Sequence, residues 1–199
     1  MRKSHKRDVL ESIARQVLSK YNHSLLTVPQ QIPIEDIMEQ QYNLEIEYQD
    51  LRNNGRVLGE TVFKDSLVPV YDKDKRQYTA IKVKGGTVIL DASLLDAEKD
   101  GRYRFTCAHE LAHWIIHKDL YGDEPAAMTE TERSSKADKQ IESEADCLAS
   151  FLLMPKGTVR KVFFDVKMPE PERIKRTADF FVVSRTAMEI RLREMGLVS

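Results

Sequence analysis

The sequence predicts an α+β fold: a small antiparallel β-meander packed on helices and followed by a C-terminal helical segment. Three observations carry this. Between Leu44 and Asp91 apolar residues come in short alternating or clustered runs separated by glycine-containing turns. On both sides of that stretch they recur at helical spacing. No apolar run approaches the roughly 18 residues of a membrane span. A chain of 199 residues can bury a sizeable core as one domain with a small appendage. The expected division is residues 1–155, holding N-terminal helices, the meander and the core with the candidate site, and residues 156–199, a helical segment packed on that core.

Taken in order, the basic start Met-Arg-Lys-Ser-His-Lys-Arg has nothing to bury and is expected to be a mobile tail. Asp8 and Glu11 have capping-box spacing, and Val9, Leu10, Ile13, Ala14, Val17, Leu18 and Tyr21 follow at helical intervals. A second helix starts near Pro33 and buries Ile34, Ile37, Met38 and Tyr42, after which Leu44, Ile46 and Tyr48 alternate as a strand. Residues 50–86 read as strands and turns, from Asn53-Asn54-Gly55 to Gly85-Gly86. The second turn separates residues 78–84 from 87–91 by two glycines, the pattern of a two-residue hairpin that needs positive φ. Asp100 is a candidate N-cap for the next helix. Residues 122–139 are polar and aperiodic, and read as a mobile loop that could act as a lid. Three helices follow Pro155. Val159, Val162, Phe163 and Val166 mark the first, and Ile174, Ala178 and Phe181, behind Pro169 and Pro171, mark the second. Ser184 caps the last, which runs to Gly196.

Charge is balanced, with 31 basic and 32 acidic residues, so no global field steers the chain to nucleic acid or an acidic membrane. The start lacks the hydrophobic segment of a secretory signal, and a soluble cytoplasmic protein is expected. Two cysteines without a Cys-x-x-Cys pair argue against a disulfide scaffold or a thiolate metal site. Cys107 and Cys147 read as small buried hydrophobes rather than a redox switch.

The chemistry concentrates at residues 105–117, Phe-Thr-Cys-Ala-His-Glu-Leu-Ala-His-Trp-Ile-Ile-His, which contain His-Glu-x-x-His at His109, Glu110 and His113. At about 100° per residue, His113 lies roughly 40° round a helix from His109, and Glu110 roughly 60° beyond His113, so all three share one face. Phe105, Ala108, Leu111, Ala112, Ile115 and Ile116 fill the opposite arc, leaving one side to bury and one to line a cavity. Imidazoles one turn apart suit zinc, and the adjacent glutamate can serve as a base without being a ligand. Three of the chain's five histidines, His109, His113 and His117, crowd onto this face. A purely structural helix has little use for them there.

Catalytic zinc takes three protein ligands, so a third must come from elsewhere. Residues 141–155, Ile-Glu-Ser-Glu-Ala-Asp-Cys-Leu-Ala-Ser-Phe-Leu-Leu-Met-Pro, offer Glu142 and Glu144. Ile141, Ala145, Leu148, Ala149 and Leu152 form the apolar stripe, with Glu142 and Asp146 along its edge. Glu142 is the expected ligand because Asp146, one turn on, can hydrogen-bond the outer nitrogen of a ligand histidine. Glu144 has Leu148 one turn on, and its alternative reading is a solvated helix position.

These two segments, with the Leu-Leu-Met-Pro ending at Pro155, resemble the ImmA/IrrE family of metallopeptidases over roughly residues 30–197. The resemblance implies a zincin-like metallopeptidase fold in which one helix gives His109, Glu110 and His113 and the next gives Glu142. It also implies a site-specific protease that cleaves a transcriptional repressor. Departures from the family pattern are mild: Ala112 replaces a common glycine, Asp146 a common asparagine and Leu148 a usual phenylalanine.

The expectation is therefore a zinc endopeptidase of narrow specificity, with His109, His113 and Glu142 on the metal and Glu110 as base. Asp146 and His117 are expected behind the ligands, and an oxyanion donor is sought among Tyr103, Tyr121 and His117. The strand at residues 87–91 is expected to present an edge for an extended substrate. The last two helices resemble a helix-turn-helix whose outward Arg185, Thr186, Glu189 and Arg193 are of mixed charge, so docking on the body or on a protein is expected rather than DNA reading. The alternative is a DNA- or protein-binding regulator whose zinc site is vestigial or structural. The intact Glu110 argues against it.

Overall fold

A computed structural model describes residues 5–51, 57–96, 100–121, 136–165 and 167–199. Leu10, Ala14, Val17 and Leu18 form the buried stripe of the first helix, α1 (Arg7–Asn22). Its N-cap is Lys6, with no side-chain cap, so the expected Asp8–Glu11 capping box is not made. Glu11 instead accepts from Arg191 at 2.8 Å. Nor is the start of the chain all tail: His5 is tied to the body through Glu144, as described below. After a 3₁₀ turn (His23–Leu26), the second helix, α2 (Ile34–Asp36), continues as a π-helical turn (Ile37–Gln41) that buries Ile37 and Met38 as expected.

The strands are β1 (Glu45–Gln49), β2 (Gly59–Val62), β3 (Ser66–Asp72), β4 (Gln77–Val83) and β5 (Thr87–Asp91). They do not form a meander. One sheet has the order β1-β5-β2, with β1 parallel and β2 antiparallel to β5. The other is the β3-β4 hairpin. Its turn is organised by Asp72, whose Oδ1 accepts from the Lys75 N–H at 2.9 Å. Gly85-Gly86 is therefore a crossover and not a hairpin. A Cβ on Gly85 would fall 2.8 Å from the Lys64 Cα, and Gly86 has φ +92°, so the pair lets the chain pass close over the end of β2 and enter the sheet centre. Asn53-Asn54-Gly55 lies outside the described residues.

β5 is buried along its whole length because it is covered on both faces. Val88 and Leu90 join the helical core, whereas Ile89 faces a smaller cluster with Leu51, Val62, Val68 and Val83 under the hairpin. This corrects the expectation that 87–91 is an edge. Among the described residues, β2 pairs only with β5, and its outer side is the edge nearest the site helix.

That helix, α3 (Asp100–Tyr121), starts at Asp100 itself, which stands in the first turn instead of capping it. It packs on β2, β5 and α4 (Lys136–Leu153). Because α4 begins at Lys136, the last residues of the expected loop are helical, and the rest of that loop lies outside the described residues. Pro155 precedes α5 (Lys156–Phe164), then come α6 (Glu170–Phe181) and α7 (Arg185–Glu194). The Ser184 side chain caps α7 by accepting from the Ala187 N–H at 3.1 Å, and Gly196 ends it at φ +67°. Val166 lies outside the described residues.

Phe163, Phe181, Met188 and Leu192 share the buried cluster of α1, α3 and α4, so the C-terminal helices complete the core. Arg191 is buried between them. Its guanidinium lies 4.3 Å from the centre of the Phe151 ring, and its Nε donates to the Met154 carbonyl at 3.1 Å.

Candidate metal centre

The α3–α4 pairing brings the widely separated motifs together. The outer faces of His109 and His113 turn toward α4, and one donor atom from each of His109, His113 and Glu142 lies within 4.8 Å of the others. The His109 and His113 Nε2 atoms are 2.9 Å apart. Glu142 places one carboxylate oxygen 3.2 Å from the first and the other 3.7 Å from the second. Two imidazole nitrogens and a carboxylate converging on one point are the donor set and number of a catalytic zinc site, so the residues present fit that metal.

Each of the two histidines also has a partner behind it. His109 Nδ1 is 2.9 Å from Asp146 Oδ1, the contact expected from the one-turn spacing of Glu142 and Asp146. His113 Nδ1 is 3.0 Å from Nδ1 of His117, which is fully buried. Burial by itself would favour the neutral form of His109. Its hydrogen bonds to Asp146 and Glu142 outweigh this and carry its pKa up to about 10. Burial would likewise raise Glu142, but the two imidazoles hold its carboxyl well below the usual carboxylate range. These shifts belong to the protein without metal, and a cation binding there competes with protons for the same donor atoms.

Glu110 faces the other way, toward β2. The Thr61 hydroxyl donates to Glu110 Oε2 at 2.7 Å and lies 3.1 Å from the Glu110 main-chain oxygen. Gly59 makes room for the carboxylate: a Cβ there would stand 2.6 Å from Oε1 and 2.8 Å from Cγ. Neither β2 residue was found by sequence reasoning. The one available signal was a small residue and a hydroxyl two apart, on the same strand face.

Glu144 is a correction. It is not solvated but buried, with 3 % of its surface exposed, and its carboxylate lies 3.5 Å from His117 Nε2. Its position between Ile141 and Leu148, toward the apolar stripe, was the overlooked signal. Tyr103 does not reach the metal side in this arrangement. Its hydroxyl pairs with Tyr48 at 2.8 Å, and burial and those contacts keep it protonated far above the normal tyrosine range. His117 is committed to His113 and Glu144, and the Tyr121 side chain lies outside what is described. Cys107 is buried, and desolvation pushes its thiol up to about 12, in keeping with a small hydrophobe.

An α+β domain whose central helix bears His-Glu-x-x-His opposite a carboxylate-bearing helix has the arrangement of side chains that metallopeptidases use to hold a metal. The family model described as the IrrE N-terminal-like domain, a peptidase family, matches residues 59–193, and the chain belongs to that family. A comparison with curated proteins finds none that matches. Among solved structures, a Mycobacterium tuberculosis transcriptional regulator has a similar fold, with a TM-score of 0.51 at 16 % identity. The match covers 94 % of this chain and 47 % of that one, so this chain spans about half of that protein's length. Among the described residues, no helix is long and apolar enough to cross a membrane.

Proposed function

We propose that the protein is a zinc-dependent endopeptidase of narrow specificity, with His109, His113 and Glu142 as metal ligands and Glu110 as general base. The observation that carries this is the convergence of the three donors within 4.8 Å while Glu110, on the same helix, is excluded from the donor set and held against β2. A purely structural site would fill its fourth position with protein and would need no base. Zinc, when bound, supplies Lewis-acid chemistry that acidifies water and polarises a peptide carbonyl. Glu110 takes the proton from the attacking water and delivers it to the leaving nitrogen, with Thr61 orienting its carboxylate. Asp146 and His117 hold the outer nitrogens of the two ligand histidines and so fix which nitrogen faces the metal.

The substrate is proposed to add as an extended strand to β2. The Asp91 N–H donates to the Leu58 carbonyl, and the alternation of an antiparallel pair then directs the main-chain groups of Gly59 and Thr61 outward, beside Glu110. The proposed substrate class is a repressor-like regulatory protein, supported by membership of the IrrE-like family. Main-chain pairing reads little side-chain identity, so selection of that partner falls to surfaces outside the edge, with the helical segment 156–199 as the proposed docking element.

Cleavage of candidate repressors by zinc-loaded protein tests this reading. Glu110→Gln is expected to keep zinc and fold and to lose about 10²- to 10⁴-fold in rate, the usual worth of a general base. Wild-type cleavage by that variant would remove Glu110 from the mechanism.

A further inference from the structure

Behind His113 a chain of polar contacts continues well past the ligand, with an ion-pair contact between His117 and Glu144 as its middle link. His113 Nδ1 meets His117 Nδ1 at 3.0 Å, and His117 Nε2 lies 3.5 Å from Glu144 Oε2. Glu144 in turn receives the His5 main-chain N–H on Oε1 at 3.1 Å, Gln140 Nε2 on the same oxygen at 3.1 Å, and lies 2.8 Å from His5 Nδ1 through Oε2. The chain of contacts therefore runs from the metal face of α3, through α4, to the segment that precedes α1.

Its direction follows from donor and acceptor counting. A ligand His113 binding through Nε2 must carry its proton on Nδ1, which then donates to His117 Nδ1. His117, accepting there, carries its own proton on Nε2, the atom 3.5 Å from the Glu144 carboxylate. Glu144 accepts from every partner named. The contacts thus support one another when His117 has this one tautomer.

We propose that Glu144 is a positioning residue that acts on His113 through His117, and that His5 completes the set by holding Glu144 in place, so that metal affinity depends on how His5 is seated. The two ligand histidines are then supported differently. His109 has a carboxylate directly behind it on a largely exposed Asp146 side chain, whereas His113 reaches a buried carboxylate only through a second imidazole. A direct, solvent-screened contact is easily replaced by water. A buried relay is not, because a missing member leaves polar atoms without substitutes.

This inference rests on the metal-site reading above, and two measurements separate their failures. Zinc affinity is read by chelator competition, together with the visible absorption of cobalt placed in the site. His117→Phe is expected to weaken zinc about 10- to 100-fold and Glu144→Gln by about tenfold, the range for groups behind a ligand. His5→Ala is expected to cost a few-fold. Phe163→Leu, a core change in α5, serves as the control: it lowers thermal stability and is expected to leave zinc affinity and the cobalt spectrum unchanged. The second measurement is the tautomer of His113 in protein stripped of metal, from long-range proton–nitrogen NMR correlations. Wild type is expected to show the Nδ1-protonated form, and His117→Phe a mixture. Zinc affinity within twofold of wild type in folded His117→Phe and Glu144→Gln would overturn the proposal. So would an equal loss in Phe163→Leu, or a His113 tautomer that ignores His117. A wild-type protein that binds no zinc but keeps the His117-dependent tautomer would sink the metal reading and leave the positioning chain standing.

Discussion

The two sides of α3 support their functional residues by different means. Toward α4 the support is electrostatic: His109 and His113 are held by charged or polar partners. Toward β2 it is steric: Glu110 sits in a space that exists only because Gly59 lacks a side chain, with a single hydroxyl to set its angle. The lesson is that the proposed metal binding and the proposed placement of a base are separable on this helix although His109 and Glu110 are adjacent in sequence. A change on one side is expected to leave the other intact.

The largest expected effect breaks the α4 side. We predict that His113→Ala loses most of the zinc, with peptidase activity falling to background, while Glu110 and β2 stay in place; elemental analysis showing undiminished zinc in that variant would refute the ligand assignment. On the β2 side, Gly59→Ala is expected to keep close to one zinc per chain and an unchanged circular dichroism spectrum. Activity should nonetheless fall by about 10²-fold, because a shift of about 1 Å in a catalytic group can cost that much. Zinc loss in Gly59→Ala would show that the two sides are not independent.

The comparison sharpens with pH. His109 has a pKa raised to about 10 by Asp146 and Glu142 against burial, compared with about 6.5 in an unfolded chain. The stability this adds to metal-free protein is complete below about pH 6.5 and is lost as the pH rises through about 10. Zinc must displace the same proton, so its apparent affinity is expected to rise about tenfold per pH unit between pH 7 and 8.5. Chelator competition giving a flat affinity over that range would show that Asp146 and Glu142 do not keep a proton on His109 in metal-free protein. The smallest effect is expected at Thr61. Thr61→Val removes the hydroxyl and should lower kcat several-fold with KM little changed. Thr61→Pro also removes the outward N–H and should raise KM for an extended peptide as well. Equal KM in the two variants would count against strand addition at β2.

What was legible in the sequence is what short-range periodicity encodes. The 3.6-residue pattern placed His109, His113 and Glu142 on facing helices, and the one-turn offset from Glu142 to Asp146 anticipated the contact with His109. What was not legible depends on pairing across the chain. Two glycines between strands look alike whether the chain turns back or crosses over, and here the choice was made by β1 and β2 claiming both edges of β5. The uninterrupted Val88-Ile89-Leu90 run was the available sign of a strand covered on both faces. Glu144 and Arg191 were assigned to solvent or left unread because a charged side chain announces nothing of its partners. Those partners, His5 and Glu11, stand at the far end of the chain.

The placement of the β3-β4 hairpin has a consequence for how the chain finds its fold. β2 and β5 are antiparallel neighbours with Val62 opposite Thr87, yet the whole hairpin lies between them in sequence. Closing a loop of that length from an unstructured chain is an entropic cost that a preformed hairpin reduces, because zipping β3 to β4 first shortens the span left to close. The hairpin is local and can form early. β1 must wait to align in parallel with β5, since its partner arrives only after the crossover. The edge beside Glu110 is thus expected to assemble late. A change that slows the hairpin, such as loss of the Asp72 turn contact, would delay maturation of the site without touching any residue in it.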